Sequence, residues 1–170
     1  MKNSKAKKAA LFGLLVALAF VLSYLESLLP FNLGVPGVKL GLANLVVVVA
    51  LFTVGEKTAL PVAVVRIVLA GLTFGNTYSL VYSLAGGLLS FAVMALVRRR
   101  SGLSVFGVSM LGGVTHNIGQ IAVAAVLMGT YRIAYYLPVL LVAGLVTGLL
   151  IGLAAKPVVN RLQAVLPPDH

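Results

Sequence analysis

Cysteine is absent from the 170 residues, and acidic side chains nearly so: Glu26, Glu56 and Asp169 are the only three. Without a thiol there is no disulfide framework, thiolate nucleophile, iron–sulfur ligand or redox switch. Three scattered acids do not make the carboxylate pair of a glycosidase, an aspartate-rich magnesium site or a calcium loop. A glycine-rich loop ending in Lys-Ser or Lys-Thr is also missing, so nothing in the chain binds ATP in that way. His116 has no second histidine within an apolar run, since the other one, His170, is terminal. Haem ligation is therefore not supported. No metal and no cofactor is implied, and the chain is not expected to be an enzyme.

What fills the space is apolar. Hydrophobic residues make up 61% of the chain and charged ones 9%, against about 25% charged in soluble domains. Mean hydropathy is +1.11. This is the composition of an integral membrane protein. Alternation of polar and apolar residues is lacking, which argues against strands, and helices satisfy their own backbone in lipid. Six apolar runs are long enough to be read as spans: roughly 9–29, 39–54, 58–74, 79–97, 104–129 and 137–155. The second and third are short and meet at the tight Gly55-Glu56-Lys57 turn.

Net charge is +10, and its placement sets an orientation. With the N-terminus in the cytoplasm, the inner segments hold Lys2, Lys5, Lys7, Lys8, Lys57, Arg98, Arg99, Arg100, Lys156 and Arg161. The outer segments hold Lys39 and Arg132 alone, and Arg66 falls inside a span. This is the positive-inside pattern, and it explains the basic charge without nucleic acid. The expectation is a multi-pass protein of the cytoplasmic (inner) membrane with both termini cytoplasmic. A cleaved signal peptide over residues 1–25 is the competing reading, but the apolar stretch continues past Ala17-Leu18-Ala19 through Val21-Leu22, which favours a retained first helix. The chain divides into a basic N-terminus (1–8), a single six-helix membrane domain (9–155) and a tail (156–170). In the tail, Val158, Val159, Leu162 and Val165 suit a short interfacial helix after Pro157.

Polar groups at membrane depth are costly and commonly functional. Arg66 falls near the middle of the third span. His116 falls near the middle of the fifth, with Asn117 beside it and Gln120 one turn outward on the same face as His116. Asn44 lies on the second span, inward of Lys39. These six residues, Lys39, Asn44, Arg66, His116, Asn117 and Gln120, are the candidate ligand-binding set. Each also has a structural reading: an Arg66–Glu26 ion pair, or interhelical bonds of about 0.6 kcal/mol for the amides and histidine. Glu26, Asn76, Tyr131, Arg132 and Tyr135 lie near outer ends and are candidate gate residues, although the tyrosines also fit an interfacial belt. The inner halves of the spans read as Leu, Val, Ala, Gly and Ile. That asymmetry predicts a polar cavity open outward and closed below by apolar packing. Its cations outnumber Glu26, so its expected ligand is a small anionic molecule. The Gly34-Val35-Pro36-Gly37 turn is a candidate lid.

Small residues recur at four-residue spacing, which lets helix backbones approach. Gly144, Gly148 and Gly152 read as packing within the bundle. Ala9, Gly13 and Ala17 share a face of the first span and are a candidate docking surface for another membrane subunit.

Several segments carry a family resemblance. They are Pro36-Gly37-Val38-Lys39-Leu40-Gly41-Leu42-Ala43-Asn44, Arg66 with Gly71 and Phe74-Gly75, and Ser83-Leu84-Ala85-Gly86-Gly87. His116-Asn117-Ile118-Gly119-Gln120, Tyr136-Leu137-Pro138 and Gly144 through Gly148 complete the set. Together, over about residues 9–155, they resemble the family labelled heptaprenyl diphosphate synthase component I, also called the Gx transporter family. That family is similar to the substrate-binding S components of energy-coupling factor transporters. The resemblance implies an S-component-like six-transmembrane-helix bundle that takes up a small anionic or vitamin-type solute. It would work with a membrane coupling subunit and ATPases, docked through an AxxxA-type face here formed by Ala9, Gly13 and Ala17. The family label implies a different alternative, a non-catalytic accessory subunit of isoprenoid metabolism or a prenyl-lipid binder. Asp169 is the one aspartate, so the magnesium chemistry of a prenyl synthase has no ligands here.

Overall fold

The computed structural model describes residues 2–28 and 40–165. Within them the chain is helical: α1 (Lys2–Leu28), α2 (Leu42–Thr53), α3 (Glu56–Thr73), α4 (Thr77–Arg100), α5 (Val105–Met128) and α6 (Leu137–Val165). A 3-10 turn, Tyr131–Tyr136, leads into α6. Each of the six apolar runs read from the sequence lies mainly on one of these helices. α1, α4, α5 and α6 are long and apolar enough to cross a membrane. At about 1.5 Å per residue, the 24 residues of α4 or α5 exceed the hydrocarbon thickness of about 30 Å.

The other two helices depart from the six-equal-spans expectation for separate reasons. α3 carries Glu56, Lys57 and Arg66 within 18 residues. α2 is 12 residues long, and at about 1.5 Å per residue it is shorter than a bilayer core. It is also the most enclosed helix, with Ala43 and the run Val46–Leu51 buried. α1, α3 and α6 pack around it. A helix that is apolar on every side belongs inside.

Helices consecutive in sequence run antiparallel. Gly113 faces Gly144, and Ser109 faces Gly148, along α5 and α6. Met94 and Ser90 of α4 lie against Gly112 of α5, and Ile67 of α3 against Gly87 of α4. Phe20 of α1 meets Phe74 at the end of α3 with ring centroids 5.6 Å apart. The turns follow local chemistry. Gly55 adopts φ 82 between α2 and α3, a conformation open to glycine. The Asn76 side chain accepts the Ser79 N–H at 2.8 Å and caps α4.

This topology gathers Lys57, Arg98, Arg99, Arg100, Lys156 and Arg161 at one end of the bundle. There Arg99 pairs with Glu56, Arg98 lies 5.3 Å over the Phe52 ring, and Lys156 lies 4.6 Å over Phe106. α1 and α6 both overrun the expected boundaries. α1 begins at Lys2, so the basic segment 2–8 is part of the first helix. α6 continues through Pro157 to Val165 as one helix, which corrects the expectation of a separate interfacial helix. Pro157 removes one helical hydrogen bond, but packing on both sides of it holds the line. Ala155 and Val159 are buried in the core with α2, and Gln163 Nε2 donates to the Phe52 carbonyl at 2.9 Å. The proline-rich terminus lies outside the described residues.

Candidate functional site

The helices enclose a cavity of about 450 Å³. All six helices contribute to it, and it reaches the surface near Ser27 and Gly75, at the end opposite the basic residues. Five of the six predicted binding residues line it: Asn44, Arg66, His116, Asn117 and Gln120. The sixth, Lys39, lies outside the described residues, as does the Gly34–Gly37 turn.

Arg66 is the central cation. It sits on the cavity face of α3, where Ile67, Ala70, Gly71 and Phe74 continue the same lining. Its Nη2 donates to Asn44 Oδ1 at 2.5 Å, joining α3 to the first turn of α2. Its Nε–H is buried and meets no acceptor among the described residues. Glu26 lines the same cavity, but it does not close an ion pair with Arg66. Its Oε1 accepts the Gly41 N–H at 2.5 Å, placing the carboxylate at the N-terminal end of α2, where the helix dipole favours negative charge. The carboxylate is still near enough to act on Arg66 electrostatically.

His116 and Gln120 lie on one face of α5 against Gly86 of α4, where a Cβ would stand 2.7 Å from the His116 carbonyl oxygen, 2.9 Å from Gln120 Cγ and 3.1 Å from the His116 ring. Gly86 thus admits the two side chains at the helix crossing. Asn117 also borders the cavity, but its amide is already committed, since Nδ2 donates to the Leu140 carbonyl at 2.6 Å. Asn117→Ala is therefore expected to cost stability rather than affinity, by about 1 kcal/mol for the lost bond. Thermal unfolding of the purified protein in detergent, measured beside ligand retention, checks this.

The gate residues divide. Glu26 is at the cavity, whereas Asn76 serves as the α4 cap. Tyr131 and Tyr135 are 90% and 86% exposed, and with Arg132 they surround a separate shallow depression. Their proximity in sequence to the ends of α5 and α6 does not carry them over the cavity. Arg132 consequently adds no charge there, and among the described lining residues Arg66 is balanced by Glu26. Among the described residues the site holds one arginine and one, already bonded, carboxylate, while Lys39, which the sequence reading also counts, lies outside them.

A further correction concerns the basic half of the bundle. Ser90, Ser109 and Thr147 line the inner end of the cavity, which is therefore not purely apolar. Ser79 and Ser83 line it nearer the surface. On α4 the residues 79, 83 and 90 fall on one helical face, and that spacing was the available signal for them. Phe74 lines the cavity as well, buttressed by Phe20 and Tyr24 of α1.

The proposed docking positions Ala9, Gly13 and Ala17 are all exposed on α1. Nothing lies within 4 Å of where a Gly13 Cβ would stand. In contrast, a Cβ on Gly113 would collide with the backbone of Gly144, and one on Gly148 with that of Ser109. The α6 glycines are packing positions, as the sequence indicated, and Gly113 of α5 is their counterpart.

Neither the curated proteins nor the solved structures provide a match to this chain. The family model described as heptaprenyl diphosphate synthase component I matches residues 15–158. That span runs from the middle of α1 to just beyond Pro157 and includes every described cavity-lining residue. The chain is a membrane protein that belongs to the heptaprenyl diphosphate synthase component I family.

Proposed function

We propose that this protein is the solute-capturing component of an uptake system for a small anionic or vitamin-type molecule. The six helices form one bundle in the cytoplasmic membrane, with α2, too short to cross it by itself, shielded from lipid by its neighbours. The observation that carries this reading is Arg66. Its guanidinium borders a cavity of drug-like volume, with one arm fixed by Asn44 and a buried Nε–H lacking an acceptor. A buried donor without a partner costs about 1–3 kcal/mol. A carboxylate or phosphate would satisfy it and add a charge-assisted bond. Asn44 orients Arg66, and His116 and Gln120 supply further hydrogen bonds. The ten basic residues of the inner segments support an N-terminus inside and a cavity mouth outside.

Transport needs partners, since this chain has no nucleotide-binding loop. The exposed small-residue face of α1 is where we place a membrane coupling subunit, itself driven by ATPases. Gly13→Leu is expected to abolish co-purification with a co-expressed coupling subunit while the isolated protein unfolds at an unchanged temperature. Retained co-purification would remove α1 from the docking model.

The family's description favours a second reading, an accessory subunit of isoprenoid metabolism that holds a prenyl lipid. A cavity lined by an arginine, a histidine, amides and hydroxyls suits a polar solute better than a long hydrocarbon chain. Gentle extraction followed by mass spectrometry of whatever stays bound tests the choice. A polar anionic metabolite is expected, and a stoichiometric prenyl or quinone lipid would favour the second reading.

A further inference from the structure

We infer that the captured solute carries its negative charge at one end of an uncharged body, and that the body, not the charge, occupies the inner end of the cavity. The inference rests on the solute-capture reading and adds the orientation of the bound molecule and the chemistry of its buried part.

The cavity divides at a level that crosses the bundle through Arg66. Arg66 bonds Asn44 across to α2, the adjacent Ile67 lies against Gly87 of α4, and Gly86 lies against His116 of α5. Toward the surface, the lining holds Glu26, Gln120, Ser83 and Phe74. Toward the basic end it holds Ser90, Ser109, Thr147, Met94, Ile151 and Val48. All of these but Thr147 are buried, so this end is blind.

No ionisable side chain lines the blind end among the described residues. An anion carried there would leave water and Arg66 together, with no counter-charge to replace them. The hydroxyls offer little help, because two of their protons are already used. Ser90 Oγ donates to the Gly112 carbonyl at 2.8 Å, and Thr147 Oγ1 donates to the Ala143 carbonyl at 2.9 Å. Each oxygen keeps its accepting lone pairs. The blind end therefore accepts hydrogen bonds from N–H or O–H groups, while Met94, Ile151 and Val48 supply apolar walls. An uncharged ring or short chain bearing such donors fits it. Arg66, at the boundary level, holds the anionic group on the mouth side, so the molecule enters body first.

The absence of native cysteine makes a direct test simple. Single substitutions Ser109→Cys and Thr147→Cys at the blind end, and Ser83→Cys toward the mouth, are made in the full chain. Each is treated in mild detergent with neutral methyl methanethiosulfonate or with the anionic sulfonatoethyl reagent, and intact mass follows the reaction. Rates are normalised to those of a free thiol. The neutral reagent is expected to modify all three positions. The anionic reagent should modify Ser83→Cys readily, but the two blind-end cysteines at least about tenfold more slowly than the neutral one does, since charge burial is costly there. Equal normalised rates for both reagents at the blind end, or no neutral labelling at either blind-end position, would overturn the inference. Labelling reads the cavity and not capture. Charge selectivity without a co-purifying anion would defeat the uptake reading alone, and a co-purifying anion without selectivity would defeat this inference alone.

Discussion

Arg66→Ala is expected to weaken retention of the captured solute by roughly 10- to 150-fold, corresponding to about 1.5–3 kcal/mol for a hydrogen bond to a charged group. The direction follows from what the guanidinium does in the fold. Among the described residues its side chain makes one hydrogen bond, to Asn44, and Glu26 is engaged with the Gly41 N–H instead of closing an ion pair. Little of the bundle's stability depends on Arg66, so membrane expression and the unfolding temperature should change little. Arg66→Lys should recover only part of the affinity, because an ammonium cannot hold Asn44 and an anion in the fixed planar geometry of a guanidinium. Equilibrium binding of the solute released from wild-type protein, measured beside thermal unfolding, separates the roles. Unchanged affinity with a lowered unfolding temperature would make Arg66 a structural residue.

Gly113→Ala should produce the largest loss of stability from a single added methyl group. A Cβ at this position would run into the carbonyl of Gly144 on the facing helix, and the obstruction is backbone, not a side chain that can swing away. Gly144, Gly148 and Gly152 continue this close approach along α6, so α5 and α6 would have to separate along a shared seam. Overpacking of this kind costs about 1–3 kcal/mol. At about 2–4 °C per kcal/mol for a chain of this size, the unfolding temperature should fall by several degrees. Gly13→Ala is the matched control, since it has open space around it and gains helix propensity. Circular dichroism melts of the two variants in one detergent make the comparison. Equal melting temperatures would mean that the α5–α6 seam is looser than described.

The helices were legible because apolar runs of bilayer length have few alternative structures. The continuity of α6 was not, because Pro157 is a local stop signal. What overrides it is tertiary: Val159 and Gln163 engage α2 and its end, more than 100 residues away in sequence for the Gln163–Phe52 bond. Asn44, Arg66, His116 and Gln120 stood out as isolated polar groups in apolar helices, and the fold brings them to one cavity. Ser90, Ser109 and Thr147 were passed over because a hydroxyl in a membrane helix can bond its own backbone, as Thr147 does. Nothing local indicates whether it also borders a cavity. Tyr131, Arg132 and Tyr135 could not be placed from sequence, since a helix-end position does not reveal which way the connecting turn lies.

Native mass spectrometry of gently extracted wild-type and Arg66→Ala protein tests the central claim most directly. Denaturing extraction of the same samples identifies what was bound. The account predicts a polar anionic small molecule on the wild type, depleted on Arg66→Ala. A stoichiometric prenyl or quinone lipid, retained equally by both proteins, would contradict it.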